Sequence, residues 1–350
     1  IHAPTAAIPR IALELVHQIN QITPVTTTSL ICIALLSKYS LSKRGIESDL
    51  SDLMQLIESY KPDALVDRGK PIGESVQSAL ALLLRAKLIK QQGEALNAKY
   101  VINADNYLST IYYANMAVHH LYHRAFIELA LVKVALLPPE ERLTIFWTEI
   151  MALRDLFKFE FFYSRKPQFS DEIEANLQFI APQWAHTFAD PEANILSLLK
   201  DQQVLVSPVV LNTYLESYRV VAQALLTRDS SLPFDESEFI DTCLFIGEEM
   251  QWQGRIQRIE SVSKPFLING LRLVKNLQLL PEEGQSRQEA IQAFIRRLDE
   301  VAQLSRQLQG IILAQPQELS PTVPIERDIV PGAKTESITR EVMESEAGPH

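Results

Sequence analysis

The sequence has no long apolar run. Its longest hydrophobic windows, Leu30–Leu36 and Leu129–Leu137, fall far short of the roughly 20 residues a bilayer-spanning helix needs, and Lys133 interrupts the second. Any membrane contact is therefore expected from the side. Cysteine is nearly missing: Cys32 and Cys243 both lie in apolar periodic segments, which leaves room for one disulfide at most and reads as two small buried thiols of a reducing compartment. No charged-then-apolar leader precedes a cleavage site, and the first residue is Ile1, so the chain is expected to be a piece of a longer one. No Gly-x-Ser-x-Gly elbow, phosphate-cradling glycine loop or dinucleotide fingerprint occurs, nor any Cys/His/Asp/Glu cluster with metal-ligand spacing. On this reading there are no catalytic, cofactor-binding or metal residues to name.

Basic charge is also short. The net charge is −10, with 11 Lys/Arg against 9 Asp/Glu in residues 1–103 and 22 against 34 in residues 104–350. This acid excess weighs against broad nucleic-acid contact. At 350 residues, 47% of them hydrophobic, the chain is long enough for two domains or for one domain with appendages.

What is present reads as mainly α. Helical spacing predicts helices over Pro9–Gln21, Thr26–Lys38, Ile46–Tyr60 and Ser75–Ala86, and two short strands around a turn between Leu88 and Ile102. Helices followed by a hairpin suggest a winged-helix-like module over residues 1–103. Its DNA-reading helix would present Ser75, Gln77, Ser78 and Ala81 with Arg85 as the only cation, and Lys87, Lys90 and Lys99 nearby, a thin footprint for DNA. A helical domain is expected over residues 104–314, with further helices at Leu143–Phe162, Asn194–Lys200, Leu211–Thr227, Glu236–Gly254, Ser261–Leu279 and Arg287–Leu313. Residues 315–350 hold five prolines, seven acids against three bases and no aromatic residue. They are expected to be a disordered tail.

The stretch Asn106–Leu131 stands out. Ile111, Ala114, Val118, Leu121, Ala125, Leu129 and Val132 form one apolar stripe, predicting a continuous central helix, with Tyr112, Asn115, His119 and His123 on an adjoining face. His119 and His123 have the spacing of a metal-ligand pair, but without further ligands they read as hydrogen-bonded packing histidines, His119 with a buried partner. His123 and Glu128 imitate a His-x-x-x-x-acid dyad, yet residues five apart on one helix face different ways. His186 and Asp190 are one residue too close for that dyad. Leu156–Arg165 packs five aromatics among Lys158, Glu160 and Arg165, which reads either as an interfacial membrane segment or as a core-lining stretch, the latter favoured because aromatics usually go inside.

Several of these residues carry a family resemblance. Tyr112-Tyr113, Asn115 and His119; Lys158, Glu160, Phe161 and Phe162; Tyr218-Arg219; Gly254-Arg255-Ile256; Glu260-Ser261-Val262-Ser263-Lys264; and Leu271-Arg272 resemble segments in the C-terminal half of bacterial glycerol-3-phosphate acyltransferases, particularly the actinobacterial branch. The likeness runs from about Pro9 to about Leu308, and Ala114 departs from the usual arginine. The resemblance implies an enzyme that moves a fatty acyl group from a coenzyme A or acyl-carrier-protein thioester to the first hydroxyl of glycerol 3-phosphate. It implies a His-x-x-x-x-Asp base and phosphate-holding arginine blocks upstream of the region covered, so no catalytic residue carries over. The expectation is a noncatalytic part, inactive alone, partnered by the upstream acyltransferase domain of the same polypeptide and peripheral to the cytoplasmic face of the cell membrane. The alternatives are a stand-alone helical interaction or regulatory protein and a winged-helix DNA-binding module.

Overall fold

The computed structural model describes Leu15, Ile19 and residues 23–314, except 39, 44, 61–63, 66–69, 95–96, 200–201, 203, 230–232 and 281–284. The expected helix Pro9–Gln21, apart from those two residues, and the expected tail lie outside the described residues. Within them the chain is mainly helical with one three-stranded sheet.

Helix α1 (Thr27–Lys38) starts from a reciprocal cap in which the Ser29 N–H donates to Thr26 Oγ1 (3.1 Å) and the Thr26 N–H donates to Ser29 Oγ (3.2 Å). It is apolar on all sides and buried along nearly its whole length, as a helix with no polar face must be. Strand β1 (Ser40–Ser42) and helices α2 (Ile46–Tyr60) and α3 (Ile72–Arg85) follow. Helix α3 buries Val76, Ala79, Leu80 and Leu83 but also Ser75, which the sequence reading had placed outward. The hairpin of β2 (Ile89–Gln92) and β3 (Lys99–Ile102) pairs Ile89 with Ile102 and Gln92 with Lys99, turning through Gly93 at φ +79°. Strand β1 adds to the other side of β3, giving the antiparallel order β1-β3-β2.

The predicted continuous helix is in fact two: α4 (Tyr107–Val118) and α5 (Tyr122–Val134). At the junction the His120 and Leu121 N–H groups turn back to the carbonyls of Ala117 (3.0 Å) and Val118 (2.9 Å), a tighter winding that resets the axis. The apolar stripe survives the break and the polar face does not. Tyr112 and Asn115 are exposed, His119 is the half-buried C-cap of α4, and His123 belongs to the next helix. Every residue of α5 except Lys133 is buried, so the second half of the stretch is the central element.

Helices α6 (Pro139–Leu156), α7 (Lys166–Ile180), α8 (Trp184–Ala189), α9 (Ser207–Thr227), α10 (Glu236–Trp252), α11 (Lys264–Asn276) and α12 (Gln285–Ala314) complete the order, with Asn194–Lys200 realised as a 3-10 turn at Ile195–Leu199. Helices α6, α7 and α9 pack on α5; α10 and α11 pack on α9; and α1 reaches both α4 and α9. The apolar interior forms one connected cluster from Val25 to Leu308.

Candidate functional site

Several of the residues that carry the family resemblance, Glu160, Phe161 and Tyr218 among them, lie where the segment after α6 meets α9 and α11. Glu160 is the polar centre. Its carboxylate accepts from the Tyr218 hydroxyl (2.6 Å) and from Asn269 Nδ2 (3.0 Å). Burial raises the Glu160 carboxyl above its ordinary value, against the pull of those two donors and of Arg272. Around it, Phe157 and Phe161 are buried and join Tyr122, Phe126, Tyr163, Tyr214 and Tyr218 in edge-on and stacked ring contacts. Within Leu156–Arg165, Leu156, Phe157 and Phe161 therefore line the core, Phe162 and Tyr163 are half-buried, and Phe159 is exposed. Lys158 donates to Asn276 Oδ1 at the end of α11.

Beside this interior lies a groove of about 550 Å³. Ala152, Asp155, Leu156 and Lys158 form one wall, Leu273, Leu277 and Leu279 the second, and Ala290, Phe294 and Arg297 the third. Arg297 is held by Glu149 (2.7 Å) and Glu300 (2.8 Å). Its lining is mostly apolar, as suits a hydrocarbon chain, with Asp155, Lys158 and Arg297 as its charged members.

The histidine pairs read from sequence come apart. His123 Nε2 lies 3.2 Å from Glu172 Oε2, an oxygen that also accepts from Ser164 Oγ (2.7 Å). Burial alone would raise the Glu172 carboxyl, but the hydrogen bonds from His123 and Ser164 outweigh it and hold it below its ordinary value. The imidazole is buried, its centroid 4.0 Å from that of Tyr122 and 5.7 Å from that of Phe169, and neither His123 nor Glu172 lines the groove. His119 packs on His120, with centroids 4.0 Å apart. His186 is exposed on α8, while Asp190 uses its carboxylate to cap the Glu192 N–H (2.9 Å) and its carbonyl to accept from the buried Arg142 (2.7 Å). Among the described residues no group of three or more His, Cys, Asp or Glu is placed to hold a metal ion.

Two further carboxylates organise the region: Glu128, which the sequence reading weighs only as a false dyad partner of His123, and Glu216, which it does not single out. Glu128 is fully buried and accepts from Arg124 Nε (3.1 Å) and from the N–H groups of Val206 (2.9 Å) and Ser207 (2.7 Å), which closes the amino-terminal end of α9. Glu216 on α9 accepts from the N–H groups of Gln257 (3.1 Å) and Arg258 (3.0 Å) and from Ser261 Oγ (2.9 Å), which ties down the loop before α11. Glu260 in that loop accepts from Thr213 Oγ1 (3.1 Å) and stands 3.6 Å from Arg258. Arg124 is a local partner of Glu128, four residues earlier on α5, but the backbone donors to Glu128 and all the donors to Glu216 lie tens of residues away and leave no local signature.

Comparison with known proteins gives a consistent result. Residues 2–283 match the family model described as the glycerol-3-phosphate acyltransferase C-terminal region. Over 315 residues, 85% of this chain, the sequence is 28% identical to the protein named "Putative acyltransferase plsB1" in Mycobacterium bovis and to its namesake in two strains of Mycobacterium tuberculosis. The chain spans about half (50%) of the length of these relatives.

Proposed function

The chain belongs to the family of glycerol-3-phosphate acyltransferase C-terminal regions, and from that premise we propose that it is the noncatalytic helical half of a glycerol-3-phosphate 1-O-acyltransferase. The whole enzyme transfers an acyl group from a coenzyme A or acyl-carrier-protein thioester to glycerol 3-phosphate, making lysophosphatidate for phospholipid synthesis. This half packs against the upstream acyltransferase domain of the same polypeptide at the cytoplasmic face of the membrane, and the aliphatic groove lies beside the path of the acyl chain.

The observation that carries this reading is where the resemblance residues spend their polar groups. Glu160 is taken by Tyr218 and Asn269, Ser261 by Glu216, and Glu260 by Thr213. A base must reach the proton it removes. A carboxylate enclosed by tyrosines and already accepting from two donors holds helices together instead. The length relationship agrees, since the match is to the C-terminal region and covers half of each relative.

The experiment is an acyl-transfer assay with labelled glycerol 3-phosphate, run on the purified chain alone and on the same chain joined to an acyltransferase domain from a relative. The isolated chain should give no turnover above the blank, and the joined protein should turn over. Robust activity of the isolated chain would overturn the proposal.

A further inference from the structure

Helix α10 carries five carboxylates and no cation in its 17 residues. It buries Phe239, Ile240, Cys243, Gly247 and Met250, packing on α9 and α11 with Gly247 close against Val262. Helical spacing puts Phe245 and Trp252, two turns apart, on the opposite side. Phe245 is 62% exposed and Trp252 85%. The same spacing sets Glu238 and Glu249 along one flank of the two rings and Asp241 and Glu248 along the other. Lys264 pairs with Asp241 (3.1 Å), whereas Glu238, Glu248 and Glu249 are exposed and their carboxylates pair with no side chain among the described residues. Gln251 Nε2 donates to the carbonyl of Ile259 (3.1 Å), which holds that exposed residue near the end of the helix.

A lone exposed apolar residue is ordinary, but two aligned rings opposite the buried side do nothing for the packing of this half. Charge narrows what covers them. A second copy laid on the same face would set Glu238, Glu248 and Glu249 against their equals. Helices that lie on lipid carry lysine and arginine beside their aromatics, and anionic headgroups repel carboxylates. The ends of this chain offer no complement either, since Arg10 is the single Lys/Arg of residues 1–22 and acids outnumber bases in residues 315–350. The fitting surface is an apolar stripe bordered by lysine or arginine, supplied from outside these 350 residues. The chain spans half of the length of the relatives it matches, and a tethered half meets this face at a high effective concentration.

We propose that the face of α10 centred on Phe245 and Trp252 is the surface on which the other half of the longer polypeptide docks, through an apolar stripe bordered by lysine or arginine. Trp252, the larger and more exposed of the two rings, is the anchor. Glu238, Glu248 and Glu249 set the register by charge. The inference rests on the reading of this chain as one half of an acyltransferase and adds which surface makes the contact.

The test compares the chain alone with the chain joined to the acyltransferase domain of a relative, by hydroxyl-radical footprinting read by mass spectrometry, with acyl transfer measured on the same samples. Trp252 should oxidise about fivefold more slowly in the joined protein, as expected when a ring this exposed becomes a covered anchor. E248K/E249K should return it toward its free rate. After cleavage of the engineered link, the parent halves and those of L108A/Y112A, a control at two exposed residues of α4, should stay together on gel filtration, while those of F245A/W252A separate. F245A/W252A should melt like the parent in the isolated chain, because both rings face water. Turnover without protection of Trp252 sinks the docking surface and leaves the reading of the half intact; protection without turnover does the reverse; absence of both sinks both. Protection that grows with concentration in the isolated chain, or that anionic vesicles confer without the added domain, assigns the face to a second copy or to lipid and overturns the proposal, as does protection indifferent to E248K/E249K.

Discussion

Glu128 on α5 accepts the Val206 N–H through both of its oxygens, at 3.0 and 2.9 Å, across 78 residues of sequence. One carboxylate thus closes the start of α9 and neutralises the buried Arg124, whose Nη2 reaches the Val204 carbonyl (2.7 Å). Burial raises the Glu128 carboxyl above its ordinary value, against the pull of Arg124 and the two backbone donors. The central helix α5 and α9 are joined at this point.

Removing the carboxylate strands the guanidinium. Glu128→Ala should cost about 3–5 kcal/mol in urea unfolding, the usual penalty for breaking a buried pair from one side. Replacing both partners by apolar residues, R124M/E128M, should recover most of that loss. A single variant within about 1 kcal/mol of the parent would mean that the pair is not buried as described.

Two glutamates should bend the pH profile in opposite senses. The Glu160 carboxyl is raised above its ordinary 4.5, so its contribution is fully present below that value and is lost as pH rises through the folded pKa. The Glu172 carboxyl is lowered, so its contribution is present above 4.5 and is lost as pH falls through the folded pKa. Relative to the parent, Glu160→Gln should gain stability as pH rises above 4.5, and the deficit of Glu172→Gln should shrink in acid. Denaturation midpoints across the acid and neutral range check both, and parallel profiles would contradict the assignment.

A methyl group at Gly247 would meet Val262 Cγ1 at 2.6 Å, closer than packed carbon atoms approach. Gly247→Ala on α10 should therefore destabilise by about 1–3 kcal/mol, the cost of overpacking. Adding Val262→Ala should restore much of it, and the thermal midpoints of the single and double variants give the comparison.

Lys87 sits at φ 58° just after α3, where its N–H and that of Leu88 bond to the carbonyls of Leu84 (3.0 Å) and Leu83 (3.0 Å). Asn103 and Asn106 both donate to its carbonyl, at 2.8 and 3.0 Å. The conformation is one that glycine adopts without strain, so Lys87→Gly should raise stability by roughly 1 kcal/mol. A decrease would show that the lysine side chain contributes more than its backbone strain costs.

Much of the architecture was legible in the residues. Periodicity and capping placed Ile46–Tyr60 to the residue and α10 to within two at its end, and alternation with a central glycine located the hairpin. The motif residues pointed to the family without any structure. These signals are local: side chains three or four apart share a helix face, and alternate residues share a strand face. The strand Ser40–Ser42, too short to show alternation, formed only because β3 offers it an edge. The break at His119–Leu121 contains neither proline nor glycine, and the joining of Glu128 to Val206, His123 to Glu172 and Glu160 to Tyr218 spans between 49 and 78 residues. A buried polar group takes whichever partner the packed chain brings within about 3 Å. Sequence alone therefore determined most of the helices, though not the break at His119–Leu121, and the kinship of this protein. Which of its polar residues became internal struts was decided by the tertiary structure, because that choice rests on distances that exist only once the helices have packed.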